Sequence, residues 1–115
     1  MNVIIYALKR GFDVQKAERY FKERNIPYQY VDLGKRPIGQ RELRAVAGGA
    51  GARSLVYESA PSYRESTLPY ISGEDGIFAA LAERPSLLKA PIVRFGPKST
   101  VGYRPDVWDG WAIKG

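Results

Sequence analysis

The chain has 115 residues, the length of one domain, with 44% hydrophobic and 26% charged residues and a net charge of +6. It contains no cysteine and no histidine, which excludes thiol chemistry, disulfides, Cys/His zinc sites and histidine acid–base catalysis by this chain alone. No apolar run approaches the roughly 20 residues that cross a bilayer and the first ten residues are too short for a secretory signal, so a cytoplasmic protein without membrane attachment is expected.

The first element is the apolar, β-branched run Asn2–Leu8, which reads as a buried central strand. A helix follows over Phe12–Asn25, where Val14, Ala17 and Phe21 recur at helical spacing on one face. Asp13 suits the positive end of its dipole, Lys22 and Arg24 suit the other end, and Asn25 is the stop. Ile26–Leu33 reads as a second strand, and strand, helix and strand in so few residues make a parallel βαβ unit. Gln40–Ser59 holds two short helices broken at Gly48-Gly49, Ala60–Thr67 is irregular, and a further helix begins near Gly73 and stops around Pro85. Ala90–Phe95 is a strand opened by Pro91, Gly96–Ser99 a turn, and Thr100–Pro105 its antiparallel partner, paired chiefly through Val101–Tyr103. The chain closes on a short helix in which Trp108 and Trp111 pack, and Tyr6 belongs to the core.

The positive charge favours anionic partners, or serves solubility alone. The basic residues are dispersed along the chain, with no aromatic-rich RNA-binding signature and no helix-turn-helix pattern, so direct nucleic-acid binding is not expected.

The segments Ile5–Leu33, Arg41–Val46, Gly51–Val56 and Leu87–Trp111 together resemble the arsenate reductase-like (ArsC/Spx/MgsR) family over nearly the whole chain. The resemblance implies an α/β, thioredoxin-like (glutaredoxin-like) fold: a single domain, 1–115, ordered βαβ, helical insert at about 40–88, then ββα, with a four-stranded mixed sheet. It implies a cis peptide before Pro91, beside the turn that leads into the first helix. The family's nucleophilic cysteine falls on Gly11, and the second cysteine of some relatives falls on Val14. Family arginines fall on Arg94, Arg53 and Arg104.

These positions, with Lys9, Arg10 and the helix start at Phe12, are the candidates for binding a small oxyanion, because helix N-termini and guanidinium groups both favour anions. Gly11 is then the floor of a retained but inert pocket, or only a turn residue that accepts positive φ. Arg94 lines the pocket or pairs with a surface carboxylate, a contact that contributes about 0–1 kcal/mol. Lys9 and Arg10 are pocket cations or solvated loop charges.

Without sulfur, the attack that opens thiol-dependent arsenate reduction has no nucleophile. The function implied is a binding or regulatory module without catalysis, metal or cofactor. RNA polymerase is the partner suggested by resemblance to Spx-type relatives. The alternative is arsenate reductase-type oxidoreductase activity in which glutathione supplies the thiol.

Overall fold

The computed structural model describes residues 2–60, 63–66, 68–71 and 73–113. The N-terminal apolar run becomes strand β1 (Val3–Ala7), and the helical pattern after it becomes α1 (Phe12–Glu23). Val14, Ala17 and Phe21 are buried as their spacing requires, joined by Glu18 and Tyr20. Asn25 ends the helix with a left-handed φ of 55°. Its N–H donates to the Lys22 carbonyl at 3.1 Å, and the Ile26 N–H donates to the Phe21 carbonyl at 2.9 Å. This is a Schellman ending, and its usual apolar contact is present because Ile26 and Phe21 share one core cluster. The chain then returns as β2 (Tyr28–Asp32), parallel to β1, with Val3 opposite Tyr28. The strand starts two residues later than its apolar run, since Ile26 serves the helix end and Pro27 has no N–H to give a ladder.

The C-terminal region supplies β3 (Ile92–Phe95), β4 (Lys98–Val101) and the last helix, Pro105–Gly110. β3 runs antiparallel to β1, with Tyr6 opposite Ile92, and β4 runs antiparallel to β3. The result is a four-stranded mixed sheet in the order β2-β1-β3-β4, the α/β arrangement expected from the sequence. The hairpin register differs from that expectation. Its turn is only Gly96-Pro97, Phe95 faces Lys98, and the strand ends at Val101 instead of running through Tyr103. Gly96, at φ 59°, occupies the first central position of a two-residue turn, where positive φ is required. Gly102, at φ 88°, takes the chain out of the strand.

Alternation along the strands sends Val3, Ile5 and Val93 to one sheet face. There they join Ala17, Tyr20, Phe21 and Trp108 in the core, with Phe95 and Trp111 at its edge. Trp108 is 1% exposed, donates from Nε1 to Thr100 Oγ1 at 2.7 Å, and meets the rings of Tyr20 and Phe21. Trp111 stacks on Phe95. Both tryptophans pack, as the sequence suggests, and Tyr6 is buried.

The chain divides into two compact units, one formed by residues 1–32 with 90–115 and the other by Leu33–Lys89. The second unit therefore begins earlier than the insert expected from about Gln40. It contains α2 (Gln40–Ala47), α3 (Glu74–Glu83) and short 3-10 turns at Gly48–Ala50, Ala52–Leu55, Leu68–Tyr70 and Pro85–Leu87. The helix expected after Gly48-Gly49 is thus two 3-10 turns, separated by Gly51 at φ 83°, a conformation that stops an α-helix. Backbone bonds from the Tyr57 N–H to the Leu87 carbonyl (2.7 Å) and from the Lys89 N–H to the Leu55 carbonyl (2.9 Å) tie the middle of this unit to its C-terminal end. The Glu74 carboxylate accepts from the Ala52 N–H at 2.9 Å. Pro61, Ser62 and Thr67, in the segment read as irregular, lie outside the described residues.

Candidate functional site at the start of the first helix

Gly11 is the N-cap of α1 and has ordinary extended geometry, φ −76° and ψ −174°. The reading of Gly11 as a residue chosen for positive φ is therefore wrong, since any L-residue adopts this backbone. A Cβ built on Gly11 meets no atom within 4 Å. Its N–H donates to the Lys9 carbonyl and its carbonyl accepts the Gln15 N–H, both at 3.0 Å, while no side chain caps the helix. Val14, the place of the second cysteine in some relatives, is buried at 2% exposure.

Arg10, although exposed, pairs with a carboxylate of the chain itself. Its Nε donates to Glu18 Oε2 at 3.1 Å and its Nη2 to Glu18 Oε1 at 3.4 Å, while the guanidinium lies 3.9 Å from the centre of the Tyr30 ring. Glu18 is 9% exposed and also accepts the Tyr28 hydroxyl at 2.9 Å. The hydrogen bond to Glu18 raises the Arg10 pKa. Burial first, and then the bond to Glu18, pushes the Tyr28 pKa up to about 12. This cluster fastens the turn before α1 to the helix and to β2, and it answers the Arg10 charge from within. Sequence reasoning missed Glu18, Tyr28 and Tyr30 because eight or more residues separate each from its partner, outside any helical or strand periodicity.

The arginines carried over from the family do not converge on Gly11 within the first unit. Arg94 pairs with Ile4 on β1 and Ser99 on β4, and its Nε donates to the Gly96 carbonyl at 3.0 Å. That carbonyl belongs to the hairpin turn, whereas Gly11 follows the other end of β1; Ile4 and Ala7 alone lie about 10 Å apart along the strand. Arg104 is the N-cap of the last helix, where its carbonyl accepts the Val107 and Trp108 N–H groups at 3.1 Å each. Its exposed guanidinium lies 3.6 Å from the Asp106 carboxylate. Arg53 belongs to the second unit. It donates from Nη2 to the Leu68 and Ile71 carbonyls at 2.9 and 2.7 Å, and from Nη1 to the Tyr63 hydroxyl at 3.3 Å. These bonds tie Arg53 to Tyr63, Leu68 and Ile71.

Lys9 is exposed, and Phe12, the first residue of α1, is 84% exposed. The Ala90–Pro91 peptide is cis, and the Pro91 carbonyl accepts the Gly102 N–H at 2.8 Å. Among the described residues, no buried side-chain polar atom lacks a hydrogen bond, and no group of acidic residues could hold a metal ion. At the turn stand the start of α1, the exposed Phe12 ring and the exposed Lys9, and the chain has no cysteine to place a thiol there.

Residues 6–110 match the ArsC family. The chain is 26% identical over 118 residues to the protein YusI of Bacillus subtilis, covering 97% of this chain and 100% of that one. Two solved structures share its fold. The YFFB (PA3664) protein superposes with a TM-score of 0.85 at 20% identity, covering 95% of this chain and 97% of that one. An arsenate reductase from Vibrio cholerae superposes at 0.82 with 23% identity, covering 93% and 94%. The sheet order, the helix after β1 and the matched span agree: this chain belongs to the ArsC family, has the thioredoxin-like fold of its relatives, and contains no cysteine.

Proposed function

We propose that this ArsC-family chain is a non-catalytic binding or regulatory module, and that its partner is a protein, with RNA polymerase the candidate that the Spx resemblance suggests. The carrying observation is that no sulfur nucleophile exists anywhere in the chain; Gly11, onto which the family resemblance carries that position, has unstrained geometry and free space around it. Arsenate reduction of the thiol type begins with a covalent bond between sulfur and arsenic. An arginine fork and a helix start can hold an oxyanion, but they cannot open that cycle. Arg10 supports the reading further, since its charge is matched by Glu18 and not left for a substrate.

Two measurements test this. Arsenate supplied with reduced glutathione and glutaredoxin, or with thioredoxin, is expected to turn over no faster than a control without the protein. Turnover above that control, in preparations free of host reductase, would overturn the non-catalytic reading and point to a thiol supplied by glutathione. Purified RNA polymerase is expected to be retained on the immobilised chain. Failure of retention removes that enzyme as the partner.

A further inference from the structure

The first two turns of α1 present an exposed face that joins a bare aromatic ring to cations without an ion-pair partner among the described residues. Phe12 is 84% exposed. Lys16, four residues on and so on the same side of the helix, is exposed and holds its Nζ 5.7 Å from the centre of the Tyr103 ring. Tyr103 is 37% exposed and leans edge-on against the buried Trp108, with ring centres 5.7 Å apart. Arg19 extends the face by another turn, and Lys9 precedes it; both are exposed. Among the described residues, Lys9, Lys16 and Arg19 form no ion pair, unlike Arg10, Arg44 and Arg104. Asp13 lies about 100° around the helix from Phe12, on the flank of this face.

We propose that the face formed by Phe12, Lys16 and Tyr103, with Lys9 and Arg19 at its margin, docks an acidic peptide segment that carries an apolar anchor residue. The inference rests on the reading of the chain as a protein-binding module, and names the surface and the chemistry of its partner. Charge complementarity selects the occupant: cations that no carboxylate among the described residues pairs recruit carboxylates, and at a rim position they steer association. Phe12 supplies the apolar contact, on a rigid helix, that a partner's leucine or phenylalanine would cover; aromatic anchors of this kind dominate interface energetics. Single-stranded nucleic acid also uses rings and cations, but it stacks successive bases on open ring faces. Here Tyr103 is engaged by Lys16 and by Trp108, which leaves Phe12 as the open ring of the face.

The test uses the full chain, labelled with nitrogen-15, and three probes: the synthetic peptide EDLFED, its basic counterpart KKLFKK, and a twelve-nucleotide oligothymidylate. The acidic peptide is expected to shift the amides of Lys9–Arg19 and Gly102–Arg104, and the basic one to leave them unmoved. Phe12→Ala and Lys16→Glu, both exposed changes, are each expected to weaken acidic-peptide binding about tenfold or more, with the rest of the spectrum intact. Shifts elsewhere, no shifts, or variants that bind like the parent would overturn the proposal. Tighter binding of oligothymidylate to the same amides would overturn it in favour of a nucleic-acid face. RNA polymerase retained equally by both variants would condemn this face while leaving the binding-module reading intact. Peptide binding here without polymerase retention supports the face and removes only that partner.

Discussion

Gly11 holds the start of α1 with its backbone alone. Its φ and ψ suit any residue and the space around it is open, so a side chain can be added without strain. Gly11→Ser supplies the missing cap and restricts the unfolded chain, and is expected to raise stability by about 0.5 kcal/mol. The urea midpoint reads this directly, and a lower midpoint would show that the space is not free. Gly11→Cys restores a thiol at a helix N-terminus, and its alkylation should report a pKa below the ordinary value of about 8.5. Arg94→Ala is expected to leave that titration unmoved, because Arg94 is anchored to Gly96 at the hairpin end of the sheet. A titration that rises when Arg94 is removed would contradict this placement.

The elements show why some of this architecture is legible in the sequence and some is not. α1 is legible because Val14, Ala17 and Phe21 mark its buried face and Asn25 marks its end. Asn25→Ala forces alanine into the left-handed region and is expected to cost about 1 kcal/mol, whereas Asn25→Gly is expected to cost nothing; thermal melts of the two variants separate the outcomes. Phe21→Ala, at a fully buried position meeting three aromatic rings, is expected to cost about 3–5 kcal/mol in the same assay. The hairpin was less legible. The β-branched residues around Val101 suggest a strand centred there, but the two-residue Gly96-Pro97 turn sets the register and ends the pairing at Val101. The candidate site was the least legible part. Gly11 stands out only by its residue type, the Arg10–Glu18–Tyr28 cluster forms only once helix and strand are folded together, and the side of the sheet end that Arg94 serves is decided by register, which composition does not reveal.

At the scale of the whole molecule, the buried Tyr20 and the partly buried Tyr28 make stability depend on alkaline pH. Burial, followed by its bond to Asp109, pushes the Tyr20 pKa up to about 12, and Tyr28 reaches about 12 as well, against 10.0 for a free tyrosine. Below pH 10 both states keep these protons and the contribution is fully present. Between pH 10 and about 12 the unfolded chain gives up protons that the folded chain retains, so stability falls as pH rises. The urea midpoint is expected to be lower at pH 11 than at pH 9, and less so in Tyr20→Phe; equal midpoints for the parent would refute the linkage. The sheet also carries a consequence for synthesis. Its central strand β1 pairs with β2 on one side and β3 on the other, yet the contiguous unit Leu33–Lys89 lies between those partners in the chain. A ribosome therefore releases β1, α1 and β2 early and delivers β3 only after the whole of that unit. Throughout this interval the nascent chain displays one open edge of β1, the feature that invites stray pairing with other chains. Chains arrested after Lys89 are thus the ones expected to need chaperone shielding at that edge.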